Sequence, residues 1–266
     1  MNNLRRKKRQ LVILGALFAV VLLLIIICII ISSNSGTNEE TQPSSAVETS
    51  EQPTTLPEKY IISENVKVLK QDDLKAGCET YACTMLLNML GFDLDEHTIA
   101  DSYLNCQFVF ESDDGVKYGP DMYSAFAGTA YGGWGVYAPS MAKSMNKYLS
   151  DQKSKLKAYN MENIPLEDLI DEYVSKGVPV MVWATTDMDE PYVYETWIVN
   201  YVDENARTKI GDSFSWYMHE HCLVLIGYDA DSYYFADSTE GKISVFKKEL
   251  VAKRYEQMGK QCIVVK

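Results

Sequence analysis

The chain has 266 residues, 47% of them hydrophobic and 11% aromatic, with a formal charge of −12. That apolar content is enough to bury a core, which excludes a wholly disordered protein. Arg5, Arg6, Lys7, Lys8 and Arg9 form one basic cluster, and all 37 acidic residues but only 20 of the 25 basic ones follow it. The acidic remainder disfavours nucleic acid and anionic lipid as partners and reads as a solvated surface of the secreted kind.

In chain order, residues 1–10 read as a cytoplasmic basic segment and residues 11–31 as a transmembrane helix. The latter are 21 uncharged, mostly aliphatic residues, which at ~1.5 Å per residue match a hydrocarbon core of ~30 Å. The rival is a cleaved secretory signal, whose apolar region spans ~7–15 residues and ends in a small-x-small site. Ile29-Ile30-Ile31 offers no such site, so a retained anchor is favoured. The basic cluster stays inside. This makes a single-pass protein of the cell membrane, its lipid contact made through residues 11–31 and its C-terminal domain extracellular, as on a Gram-positive surface.

Residues 32–58 hold no aromatic, Lys or Arg and form a disordered stalk with a reach of roughly 30 Å. The folded domain is predicted over 59–266. It opens with helices at 77–90, closed by Gly91, and at 98–104. Residues 111–138, rich in glycine and aromatics, read as a long ordered loop. A third helix follows Pro139 with Met141, Met145, Tyr148 and Leu149 on one side, and a fourth spans about 165–175 before Gly177. Runs at 178–184, 196–202, 222–228, 233–236, 243–246 and 262–265 are β-branched or aromatic and read as strands. Helices first and strands later describe an α+β domain with an antiparallel sheet and no internal repeat.

Six cysteines do not make a disulfide framework: Cys28 lies in the apolar run and five is an odd number. Cys83, Cys106, Cys222 and Cys262 read as small buried apolar residues. No spacing resembles a zinc site, so neither metal nor cofactor is expected.

Cys78 is the exception. It stands at a helix start, where thiolate is favoured, and a histidine nearby would populate that form. His221 heads the apolar run 222–228, and Asp237 ends the next short run. The turn Asp229-Ala230-Asp231-Ser232 makes these two strands a hairpin, which brings His221 and Asp237 together as base and orienting acid. Gln71 with the Cys78 backbone N–H supplies two donors to an oxyanion. His219 and His221, two apart, share a strand face; His221 is preferred because it adjoins the core strand. His97 reads as a surface residue. Trp134, Trp183 and Trp197 read as core or lid aromatics, with Trp134 in its glycine-rich loop placed to line a cleft.

Gln71, Gly77-Cys78-Glu79, the helix through Met85-Leu86-Leu87-Asn88 to Gly91, Gly133-Trp134-Gly135-Val136-Tyr137-Ala138-Pro139, Lys176-Gly177-Val178-Pro179-Val180-Met181-Val182-Trp183, and Glu220-His221 through Gly227-Tyr228-Asp229 to Asp237 together resemble the C-39-like cysteine peptidase domain. This is the papain-like branch related to bacteriocin leader peptidases, and the resemblance covers most of residues 60–265. It implies a papain-like fold with Cys78 as nucleophile, His221 as base, Asp237 as orienting acid and Gln71 as oxyanion donor. The implied partner is a peptide or protein substrate outside the membrane. Two departures stand out. Ser238 replaces the proline that usually follows the orienting aspartate, and the domain is exported with no transporter attached, so the leader-peptide substrate does not carry over. A silent peptide-binding module on the same fold, or a thiol amidase or acyltransferase, remains as an alternative.

Overall fold

The computed structural model describes residues 56–266. The predicted segments 1–10 and 11–31 and nearly all of 32–58 lie outside the described residues. Among the described residues no helix is long and apolar enough to cross a membrane.

Among the described residues five α-helices, α1 (Cys78–Met89), α2 (Glu96–Ser102), α3 (Ala138–Asp151), α4 (Leu166–Glu172) and α5 (Lys248–Gln257), surround three sheets. The principal sheet holds β1 (Tyr60–Ile61), β7 (Ala158–Asn160), β8 (Val180–Thr185), β11 (Glu220–Tyr228), β12 (Ser232–Asp237), β13 (Lys242–Lys247) and β14 (Cys262–Val265). Its order is β13-β12-β11-β8-β14-β7 with β1 added to β11, and every pair is antiparallel. A second sheet, β10-β9-β4-β3, contains β3 (Phe110–Glu111), β4 (Lys117–Pro120), β9 (Tyr192–Tyr201) and β10 (Ser213–Met218). A third, β2-β5-β6, contains β2 (Cys106–Gln107), β5 (Phe126–Thr129) and β6 (Gly132–Gly135). The α+β class with a mainly antiparallel sheet is as expected from the sequence.

The helix that carries Cys78 is α1, buried at every position except Asn88. A helix buried on every face belongs inside a domain rather than on its surface, and α1 packs on β11, β8 and β12 on one side and α2 on the other. Asn88 uses its amide to close the following turn, donating to Leu94 O at 2.9 Å and accepting from Leu94 N at 3.1 Å. Below the helix β11 is buried along its whole length. The helix over the central strand therefore holds the site's two halves together through apolar burial worth about 1.5–3 kcal/mol per large side chain.

Several elements differ from the reading of the sequence. Residues 111–138 are not one loop but carry β4, β5 and β6. Their glycines are there for close approach: a Cβ on Gly128, at φ +94°, would lie 2.6 Å from Gly133 Cα. Composition alone reads such a stretch as loop. Parallel pairs β2/β5 and β4/β9 join the antiparallel ones, and strands β1 to β7 are interleaved with the early helices. Helix α5 is a further addition, its charged sequence supported by Val251 and Tyr255 in the core and by buried Arg254, which donates to Met188 O at 2.8 Å. The cysteines behave as expected: Cys83, Cys222 and Cys262 are free and buried, and Cys106 is free and half-buried.

The chain enters the domain through β1, where Tyr60 pairs with Tyr228 and Ile61 with Gly227. A Cβ on Gly227 would lie 2.6 Å from Tyr60 O and 2.9 Å from Ile61 Cα. Gly227→Ala is expected to push β1 off the sheet at a cost of about 1–3 kcal/mol. Urea denaturation, with loss of amide protection at Ile62, which donates to Ile226 O, is the check.

Candidate active site

Helix α1 begins abruptly because Gly77 lets it. A Cβ there would lie 2.7 Å from Leu74 Cβ and 2.8 Å from Thr80 Oγ1, so only glycine allows the 71–77 turn to run straight into the helix. Gly77 O accepts from Thr80 Oγ1 at 2.7 Å and from Tyr81 N at 3.0 Å. Cys78 is thereby the first helical residue, and its N–H is one of the orphan donors of the first turn.

On the other side, β11 pairs with β12 in the register Val224 to Ala236 and Leu225 to Phe235. The hairpin predicted from the Asp229–Ser232 turn sets His221 beside Asp237. His221 Nε2 lies 2.9 Å from Asp237 Oδ1 and 3.1 Å from Thr239 Oγ1. The aspartate is held as a carboxylate. Its burial alone would raise its pKa, but the His221 hydrogen bond and charge, the Thr239 N–H at 3.0 Å and the Ser244 hydroxyl at 2.8 Å outweigh that and bring it down to about 2. A carboxylate only accepts, so Nε2 carries the ring proton and Nδ1 is left with the lone pair of a base.

Gln71, Cys78 and His221 line one cleft of ≈ 490 Å³, together with Trp134, Trp216 and Glu220. Asp237 sits behind His221 rather than in the cleft wall, as an orienting group should. A larger hollow of ≈ 880 Å³ near Lys143 and Asp151 lies elsewhere on the domain and is lined by no thiol or imidazole. The chemistry favours the smaller cleft.

Gln71 reaches the cleft with its amide already occupied: Nε2 donates to Leu74 O at 2.9 Å and Lys75 O at 3.1 Å, and Oε1 accepts from Ser238 Oγ at 3.2 Å. An oxyanion would compete with one of those turn carbonyls for an N–H. His219 is not where strand alternation put it. It has φ +73° at the junction between β10 and β11, which breaks the period, and its ring lies edge-on to Tyr192 at 5.8 Å. It does not line the cleft. His97 is a surface residue beside Tyr131, and Trp134 lines the cleft as expected.

The thiol differs most from expectation. Cys78 Sγ donates to Glu79 Oε2 at 3.3 Å, and burial, followed by the neighbouring Glu79 and Glu220 carboxyls, pushes its pKa well up rather than down. Burial likewise raises Glu79 to about 7 and, with the charge of Glu79, raises Glu220 well above the usual carboxylate range. Helix-start position alone therefore does not make a thiolate here. Glu220, Thr239 and Trp216 were not singled out from the sequence, although an acid directly before a histidine, at the head of a run of buried residues, was a visible signal for Glu220. Trp216 lies on β10, which had no signal strong enough to read as a strand.

The His221–Asp237 pair makes a stability prediction. A folded pKa below the unfolded value of about 3.9 adds stability that is complete above pH ~4 and is lost as pH falls through about 2. The full effect is on the order of 2 kcal/mol. Asp237→Asn should flatten the melting-temperature profile between pH 4 and 2 relative to the unaltered protein, as read by calorimetry.

The profile of the Peptidase_C39 like family matches residues 63–263. YvpB, an uncharacterized protein of Bacillus subtilis (strain 168), is 26% identical over 191 residues, which is 71% of this chain and 68% of that protein. A solved structure from Bacillus anthracis, described as a C39-like peptidase, superposes with a TM-score of 0.64 at 28% identity, covering 79% of this chain and 98% of that one.

Proposed function

The chain belongs to the Peptidase_C39 like family, and on that footing we propose that it is a cysteine peptidase, anchored in the cell membrane by residues 11–31, that cleaves a peptide or amide bond outside the membrane through an acyl-enzyme. The observation that carries this reading is the His221 ring. Asp237 binds its Nε2 at 2.9 Å and stays ionised, which leaves Nδ1 as a base in the same cleft as Cys78.

In this reading the Cys78 S–H bond breaks, its proton passes to His221 Nδ1, and the sulfur attacks the scissile carbonyl carbon. The developing oxyanion takes the Cys78 N–H and one Gln71 N–H, which are worth far more in a cleft than in water. Collapse breaks the C–N bond, His221 returns the proton to the leaving amine, and water then hydrolyses the thioester by the same route. Trp216 lines the same cleft, and its indole N–H is buried with no partner.

A peptide-binding module is the second reading, favoured by the contact of the Cys78 thiol with Glu79 rather than with the imidazole. Turnover of a fluorogenic peptide library by the full chain decides between the two. Cys78→Ala and His221→Ala are expected to abolish it, His219→Ala to keep most of it, and Asp237→Asn to fall between. Gln71→Ala should slow turnover by about 10²–10³ while leaving thiol alkylation little changed, since an oxyanion donor acts on the transition state. Tight peptide binding with turnover absent from the unaltered protein would establish the module instead. The anchor is checked separately: full-length protein should stay in the membrane fraction after alkaline washing, and a released form beginning near Ser32 would overturn it.

A further inference from the structure

The proton path above makes no use of the two carboxyl groups under the cleft. Each is the chain neighbour of a site residue: Glu79 follows Cys78 and Glu220 precedes His221. Glu79 is fully buried and Glu220 is 8% exposed. Among the described residues neither pairs with Lys or Arg. An oxygen of each and the Cys78 sulfur all lie within 4.8 Å of one another. Glu79 is used as a carboxylate, accepting the Val136 N–H at 2.7 Å on Oε1 and the Cys78 thiol at 3.3 Å on Oε2. Glu220 has a buried oxygen, Oε1, with no partner.

Two carboxylates this close, out of water and without a cation, do not both ionise. The titratable groups facing them are Cys78 from α1, His221 and Cys222 from β11, and Tyr137 from the start of α3. Of these only His221 can be positive, and its Nε2 is engaged with Asp237. Gly135 closes the chamber: at φ +128°, a Cβ there would lie 2.4 Å from Glu79 Oε1 and 3.1 Å from Glu220 Oε2.

We propose that Glu79 is a positioning residue for Cys78: it shares one proton with Glu220, and its carboxylate accepts the Cys78 S–H, so that the resting nucleophile is a neutral thiol parked on Glu79 and not a thiolate paired with His221. This rests on the reading of Cys78 as nucleophile. Rotation about the Cys78 Cα–Cβ bond carries the sulfur from Glu79 toward Nδ1, where the S–H bond breaks and an N–H bond forms. The shared proton stays within the pair throughout. Glu79 titrates at about 7 because burial dominates its surroundings, so the parked form builds up as pH rises through that value.

The pH profile of Cys78 alkylation by iodoacetamide, located by mass spectrometry in the full chain, tests this. Glu79→Gln keeps an acceptor for the Val136 N–H but removes the charge. It should speed alkylation at pH 8, where the parked form prevails, about tenfold or more, the equivalent of one unit in thiol pKa, and shift the profile to lower pH. Glu220→Gln donates an amide N–H to Glu79 in place of the shared proton, and should move the inflection near pH 7 down by at least a unit. Both variants keeping the original profile, or Glu79→Gln slowing alkylation, overturns the proposal. If Glu79→Gln shows no cooperative melt, the Glu220→Gln inflection decides alone. His221→Ala separates the underlying reading: unchanged turnover in that variant would remove Cys78–His221 catalysis while the two glutamine profiles still report on parking.

Discussion

The register of β11 is the constraint to which the rest of the cleft is referred. Side chains alternate along a strand, so a slip of one residue would turn His221 to the opposite face and present Glu220 or Cys222 in its place. Two neighbours prevent this. Strand β8 pairs with residues 220–225, setting His221 opposite Ala184, and β12 pairs from Val224 to Tyr228. The uninterrupted apolar stretch Leu223 to Ile226 has no exposure to spare, and slippage would cost its packing under α1. Because α1 lies directly on this strand, the distance between thiol and imidazole is set by core packing and not by a loop.

The segment carrying Gln71 is tied to the far end of the same hairpin. Gln71 N donates to Ser238 O at 2.8 Å, and Ser238 Oγ donates to Gln71 Oε1. A proline at 238 would keep the first contact and lose the second. The serine therefore orients the Gln71 amide, leaving its nitrogen toward the turn. Asp237 does not suffer from it, since Thr239 N–H and Ser244 Oγ complete its shell. Its carboxylate is positioned by groups on both sides of the β12/β13 hairpin.

Much of this was legible in the sequence where one signal dominated. The run 222–228 and the turn after it gave the hairpin, and helix period from Gly77 to Gly91 gave α1, because burial and turn chemistry agree there. That hairpin and helix start bring His221 beside Asp237 and into one cleft with Cys78. Where signals conflict, the reading fails for definite reasons. Glycines at 119, 128 and 133 look like loop by composition yet serve close strand contact, and a left-handed residue at 219 interrupts an alternation that seemed to pair it with 221. The thiol's environment was only half legible from local position: Glu79 is its chain neighbour, but the burial that dominates is tertiary, and Glu220 arrives only through β11.

The pairing of β1 with β11 has a mechanical consequence. Among the described residues β1 is a strand of two residues, backed by the Ile62 to Ile226 hydrogen bond, and it lies on the same β11 that carries His221 near its start. A load applied through the preceding chain passes into the domain at this point. Short ladders yield before long ones, so β1 would peel away first and leave β11 held by β8 and β12. Residues 60–62 would thus yield before the strand on which His221 is placed is disturbed.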